Sequence, residues 1–106
     1  SSARFFRHQH EQAYLLAKGR PDLPARPRSD VMPFAYTGNR LHPTEKPVSA
    51  LRPLVDAFTR RGDLVLDPFS GSGSTLVAAR DLDRDYLGIE LDPGHVTTAR
   101  RRLASP

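Results

Sequence analysis

Apolar positions along this chain come in short runs broken by glycine, proline and charge. Leu64-Val65-Leu66 is one such run, and it ends in a carboxylate, Asp67. A Gly-x-Gly turn follows at Gly71 and Gly73, and then a helix-forming run, Leu76-Val77-Ala78-Ala79. The order strand, glycine-rich turn, helix predicts a βα unit with its helix over about 74–82. Asp81 to Asp85 is a polar turn, and Tyr86-Leu87-Gly88-Ile89 is a second apolar run that ends in Glu90. The two strands should lie parallel, joined by a right-handed crossover. Upstream, Leu51, Leu54, Val55 and Phe58 have i, i+3, i+4, i+7 spacing and make one apolar face of a helix. Pro47 suits its first helical position, and Pro53 should bend it, having no N–H for the carbonyl of Ser49. Downstream, Asp92-Pro93 reads as an N-cap followed by proline, and Val96, Ala99 and Leu103 as the buried stripe of a third helix. Near the start, Ala13-Tyr14-Leu15-Leu16-Ala17 is short enough to be a buried strand. The fold class is therefore α/β, a short parallel sheet with helices on both faces.

Between these elements, residues 20–47 are irregular. Six prolines and Gly38 fall there, which predicts extended loop. The chain has 106 residues, enough for one compact unit with one core. It divides into an arm, 1–40, and an α/β unit, 41–106. The net charge is +4, and 14 of the 16 basic residues are arginine. The arm holds seven basic residues against Glu11, Asp22 and Asp30, whereas 41–106 holds nine of each sign. The first third thus carries the whole excess. Arg20, Arg26, Arg28 and Arg40, with Phe34 and Tyr36 interleaved, could track a phosphate backbone and stack on unpaired bases. The same pattern also suits a solvated loop packed on the domain. Arg100-Arg101-Arg102, in the last turns of the third helix, favour the helix dipole or an anionic partner.

Cysteine is absent, so disulfides and thiolate metal sites are excluded. His8 and His10 could ligate a metal from a strand, but no third ligand lies nearby in sequence, and no metal is expected. No stretch has the length of a membrane span and no secretion signal is recognisable, so a cytoplasmic location is expected.

Asp67, at the carboxyl end of its strand, stands where open parallel sheets bind ligands. Gly71 and Gly73 let the backbone approach a ligand closely. Glu90 lies about 20 residues beyond, at the position that takes ribose hydroxyls in nucleotide-binding βαβ units. A ligand-free crossover and an unrelated nucleotide-binding fragment would share that pattern.

Three stretches together carry a family resemblance: His42-Pro43-Thr44-Glu45-Lys46-Pro47; Gly62 to Thr75, with Leu66-Asp67-Pro68-Phe69-Ser70-Gly71-Ser72-Gly73 at its centre; and Gly88-Ile89-Glu90-Leu91-Asp92. Residues 40–103 resemble the C-terminal part of the DNA amino-methyltransferases of the permuted (beta-type) class, in which the catalytic half precedes the cofactor half. More loosely, Arg7 to Lys18 resembles the segment after that family's catalytic motif. The resemblance implies a partial Rossmann-like fold, S-adenosylmethionine as cofactor and DNA as partner, with methyl transfer to adenine N6 or cytosine N4 in restriction–modification. It implies that Asp67, Phe69, Gly71 and Gly73 surround the methionine end, that Glu90 holds the ribose, and that Thr44 and Lys46 reach the carboxylate. The adenine would lie near Ile89, Leu91 and Pro93. The family's catalytic signature, Asp, Asn or Ser followed by Pro-Pro and an aromatic, does not occur: the 106 residues contain no Pro-Pro pair. No catalytic residue is therefore assigned. The chain is expected to be the cofactor-binding half, inactive alone, completed by a second chain or self-associating through an open sheet edge. The alternative is a non-catalytic module that keeps the fold and binds nucleic acid or another partner.

Overall fold

The computed structural model describes Phe5, residues 11–33 and residues 46–106. Five elements follow in order: α1 (Val48–Phe58), β1 (Leu64–Asp67), α2 (Ser74–Asp81), β2 (Asp85–Gly88) and α3 (Pro93–Ala104). The strands pair in parallel, with Leu64 opposite Asp85 and Asp67 opposite Gly88. Below the strands the turns are laced together: the Gly62 amide donates to the Asp83 carbonyl and the Asp85 amide to the Asp63 carbonyl, both at 2.9 Å.

Helix α2 is the centre of the packing. It contacts both strands and both other helices. Leu76, Val77, Ala78 and Ala79 are buried on it, joined by Val55 of α1 and Ala99 of α3. The small side chains of Ala78, Ala79 and Ala99 let three helices approach closely, so the core is built by proximity more than by bulk. Predicted and observed boundaries agree for β1 and lie within a residue of each other for α2. The Asp92 cap of α3 is as expected, its Oδ1 accepting from the amides of Gly94 at 2.7 Å and His95 at 3.3 Å. Pro47 occupies the N-cap rather than the first helical position: its ψ of 142° is extended, while its carbonyl already accepts from Ala50. Pro53 stands inside α1 without ending it.

Two expectations fail. Residues 13–17 form no strand; Tyr14, Leu15 and Leu16 are exposed. A strand needs a ladder partner, and among the described residues β1 and β2 pair only with each other. Nor, among the described residues, do helices cover both sheet faces. Alternation along the strands turns Val65, Asp67 and Gly88 toward α2, and leaves Leu64, Leu66 and Leu87 on the other side, 61%, 56% and 51% exposed. The cause lies in the helices, since α1 and α3 spend their apolar stripes against α2 and not against the sheet.

Candidate functional site

The site is built where both strands end. Past the ladder, the Ile89 amide donates to the Asp67 carbonyl at 2.9 Å, and the Ser70 amide to the Ile89 carbonyl at 3.0 Å. The pairing thus continues one step past the ladder and then slips by one residue on the β1 side, and the loop after β1 lies against the loop after β2. Asp67 Oδ1 accepts from the Phe69 amide at 3.1 Å, which tightens the first turn of the loop.

Glu90 ties the two loops together. Its Oε1 accepts from the Gly71 amide at 2.8 Å and its Oε2 from the Asp92 amide at 2.9 Å. The hydrogen bond from Asp92, then that from Gly71, hold its carboxyl below the usual range, against an opposing desolvation. Each carboxylate oxygen has two acceptor directions. One per oxygen is used, so Glu90 can accept further hydrogen bonds from a diol while remaining anchored.

The glycine-rich turn is held from behind. Gly71 and Gly73 have φ of 52° and 88°, the left-handed region that glycine enters at little cost. Gly73 is the N-cap of α2, and a Cβ there would stand 2.8 Å from Ala99 Cβ. At Gly88 a Cβ would meet Leu76 Cδ1 at 2.5 Å. Gly73 is thus fixed by close packing as well as by backbone angle, and Gly88 by close packing alone. Arg102 of α3 reaches under the turn: its Nη1 donates to the Ser72 carbonyl at 2.9 Å, and to the hydroxyls of Ser72 and Ser74 at 3.1 Å. Arg80 in turn donates from Nη1 to the carbonyls of Arg102 at 2.9 Å and Leu103 at 3.1 Å, supplying a cation to the C-terminal end of α3. Its other nitrogens hold Asp81, which also pairs with Arg52; these hydrogen bonds, that of Arg52 foremost, hold the Asp81 carboxyl below its ordinary value.

The sequence-based site residues divide accordingly. Asp67, Phe69, Gly71, Gly73 and Glu90 come together at the strand ends. Phe69 is 88% and Leu91 98% exposed, with Ile89 and Pro93 also exposed, so the apolar residues expected around an adenine stand open to solvent. Lys46 pairs with Glu11 of the arm at 3.1 Å. Thr44 and Arg40, like Phe34, Tyr36, His8 and His10, lie outside the described residues. Of the arm arginines, Arg20 and Arg26 are exposed and Arg28 pairs with Asp56 at 3.1 Å.

Sequence reasoning missed the interior arginines. Arg84 is buried, with Nε donating to Thr59 Oγ1, Nη2 to the Thr59 carbonyl and Nη1 to the Leu82 carbonyl, at 2.8, 2.8 and 2.6 Å. Nothing in the linear pattern marks it. For Arg102 a signal existed: it stands three residues after the buried Ala99, and so on the inward face of α3.

Comparison with known proteins places the chain. The DNA methylase family model matches residues 27–101. YubD of Escherichia coli (strain K12), which carries the name of a methylase, is 52% identical over 105 residues, covering 99% of this chain and 46% of its own length. The crystal structure of the M1.HpyAVI–SAM complex superposes with a TM-score of 0.65 at 29% identity, over 78% of this chain and 44% of that one. The PvuII DNA methyltransferase (cytosine-N4-specific) does so with a TM-score of 0.58 at 28% identity, over 64% of this chain and 24% of that one. The chain thus spans about half the length of YubD and of M1.HpyAVI.

Proposed function

The chain belongs to the DNA methylase family, and from that premise we propose that it is the cofactor-binding part of a DNA N-methyltransferase whose product is N6-methyladenine or N4-methylcytosine. Residues 41–106 form the cofactor unit, and residues 1–40 the arm that contacts DNA through Arg20, Arg26, Arg28 and Arg40.

One observation carries this reading. Glu90 is held at the mouth between two parallel strand ends by two backbone amides, with acceptor capacity left for a ribose diol. The donor set fits a sulfonium nucleoside. Asp67 and Glu90 place negative charge near a cationic ligand, Gly71 admits close backbone approach, and Phe69, Ile89 and Leu91 offer apolar surface for a base. When bound, S-adenosylmethionine supplies an electrophilic methyl group. The chain's own contribution is position: the Gly71–Gly73 turn and Asp67 hold the amino-acid end, Glu90 fixes the ribose, and Thr44 and Lys46 meet the carboxylate. Holding the donor in one orientation removes much of the entropic cost of transfer. Lys46 must leave Glu11 to do this, which is cheap for an exposed pair.

We further propose that the isolated chain does not turn over. It holds no Pro-Pro signature for the target base, so methylation requires a polypeptide that brings that motif. The exposed sheet face of Leu64, Leu66 and Leu87 supports docking of such a polypeptide, or self-association. Calorimetry with S-adenosylmethionine, S-adenosylhomocysteine and NAD tests the cofactor assignment: binding of the first two and not of NAD is expected, and the reverse would overturn it. Glu90→Gln should weaken S-adenosylhomocysteine about tenfold. Methylation of DNA only when a chain carrying the signature is added supports the half-enzyme. No methylation in either case, with DNA binding retained, favours the non-catalytic module, to which the charged arm also lends itself. A monodisperse monomer in solution scattering would count against self-association.

A further inference from the structure

We infer that Arg102 is a positioning residue for the cofactor: it sets the shape of the glycine-rich turn from behind, through Ser72 and Ser74. This rests on the cofactor reading given above.

The geometry is specific. One guanidinium nitrogen lies within hydrogen-bond reach of three acceptors, the Ser72 carbonyl at 2.9 Å and the two serine hydroxyls at 3.1 Å. Both serines are buried, 3% and 7% exposed, so water is a poor substitute for their partner. They flank Gly73, whose left-handed φ of 88° turns the chain into α2. Gly71, two residues earlier, is held from the other side by Glu90. The turn is therefore gripped at both ends, by an anion in front and a cation behind. The grip also has a fixed origin. The carbonyls of Arg102 and Leu103 are capped by Arg80, a residue of α2, so α3 is locked to the helix that the turn begins. Glycine and serine alone would leave this loop many conformations. An order imposed by Arg102 before the ligand arrives lowers the cost of binding.

The test uses the full 106-residue chain, as wild type and as Arg102→Met, Arg102→Lys and Ser74→Ala, at a temperature where melting curves show each folded. The first measurement is amide hydrogen exchange at residues 71–75 without any ligand. Arg102→Met is expected to raise it about tenfold there, while the amides of β1 and β2 keep wild-type rates. The second is S-adenosylhomocysteine affinity by calorimetry: about tenfold weaker for Arg102→Met, partly restored by Arg102→Lys, and weakened less by Ser74→Ala. The double variant Arg102→Met/Ser74→Ala should be no weaker than Arg102→Met alone, because the shared contact is already gone. Unchanged loop exchange in Arg102→Met overturns the inference, whatever the ligand does. So does unchanged affinity in a folded Arg102→Met. Wild type that fails to bind S-adenosylhomocysteine overturns the cofactor reading, while the exchange result still decides whether Arg102 orders the turn. If Arg102→Met fails to fold, the smaller Ser74→Ala variant decides by the same two measurements.

Discussion

Arginine does two different things in this molecule, one in the arm and one in the α/β unit. In the arm and where it meets α1, arginines stand in water and pair with carboxylates: Arg28 with Asp56, both sides about half exposed, and Arg60 with Asp22, both about four-fifths exposed. In the unit, Arg84, Arg102 and Arg80 point inward and donate to backbone carbonyls and hydroxyls, Arg80 and Arg84 holding a carboxylate besides. The first kind is screened by salt and contributes little to folding. The second ties together elements whose shared apolar contact is made largely by small side chains, and a planar fork with five donors suits that task better than lysine would. Positive charge here is therefore a surface property in one region and a structural device in the other. Net charge alone could not separate them.

Substitutions can break that contrast in order of size. Arg84→Ala should cost most, about 3 kcal/mol in urea unfolding, because Thr59 and the Leu82 carbonyl lose a buried partner in a part-buried place. Gly73→Ala should cost about 2–3 kcal/mol, against about 1 kcal/mol for Gly62→Ala. Both glycines have nearly the same φ, 88° and 84°, but a Cβ meets Ala99 at the first and open space at the second. The difference between the two variants isolates packing from backbone strain.

An acid titration sharpens the comparison further. Asp81 and Glu90 both have folded-state values below their ordinary ones, 3.8 and 4.5. Their contribution is complete above those ordinary values and is lost as pH falls through the folded values. The stability gap between wild type and Glu90→Gln should accordingly be constant above neutral pH and close as the solution is acidified below 4.5. A gap that widens on acidification would contradict the hydrogen bonds to Gly71 and Asp92. Arg28→Ala should be the mildest, within about 0.5 kcal/mol of wild type in stability. Its effect should appear instead as a DNA-binding salt slope shallower by about one.

The legible part of this fold was the part that depends on neighbours in sequence. The run Leu64 to Asp67, the glycine turn, the Asp92 cap and the inward stripe of α3 all follow from local periodicity and capping chemistry. The juxtaposition of Asp67 and Glu90 followed from the βαβ order. What failed depended on partners. Residues 13–17 have a strand's composition but no ladder to join among the described residues, and the sheet's second face is apolar without a described helix to cover it. Arg84 escaped because its guanidinium reaches Thr59, 25 residues away, a distance that no window of local pattern spans; for Arg102 the local pattern gave the inward face but not its partners 28 and 30 residues away. Of the site, Thr44 and Arg40 lie outside the described residues, while the Glu90 bridge to Gly71 and Asp92 is finer than any motif specified.

That bridge has a dynamic corollary. Because a single side chain is bolted to both loops, neither can swing outward by itself; an excursion of one drags or releases the other. Relaxation dispersion on the backbone nitrogens should give residues 69–72 and 90–92 one shared exchange rate, and replacing the carboxylate with alanine should split it in two.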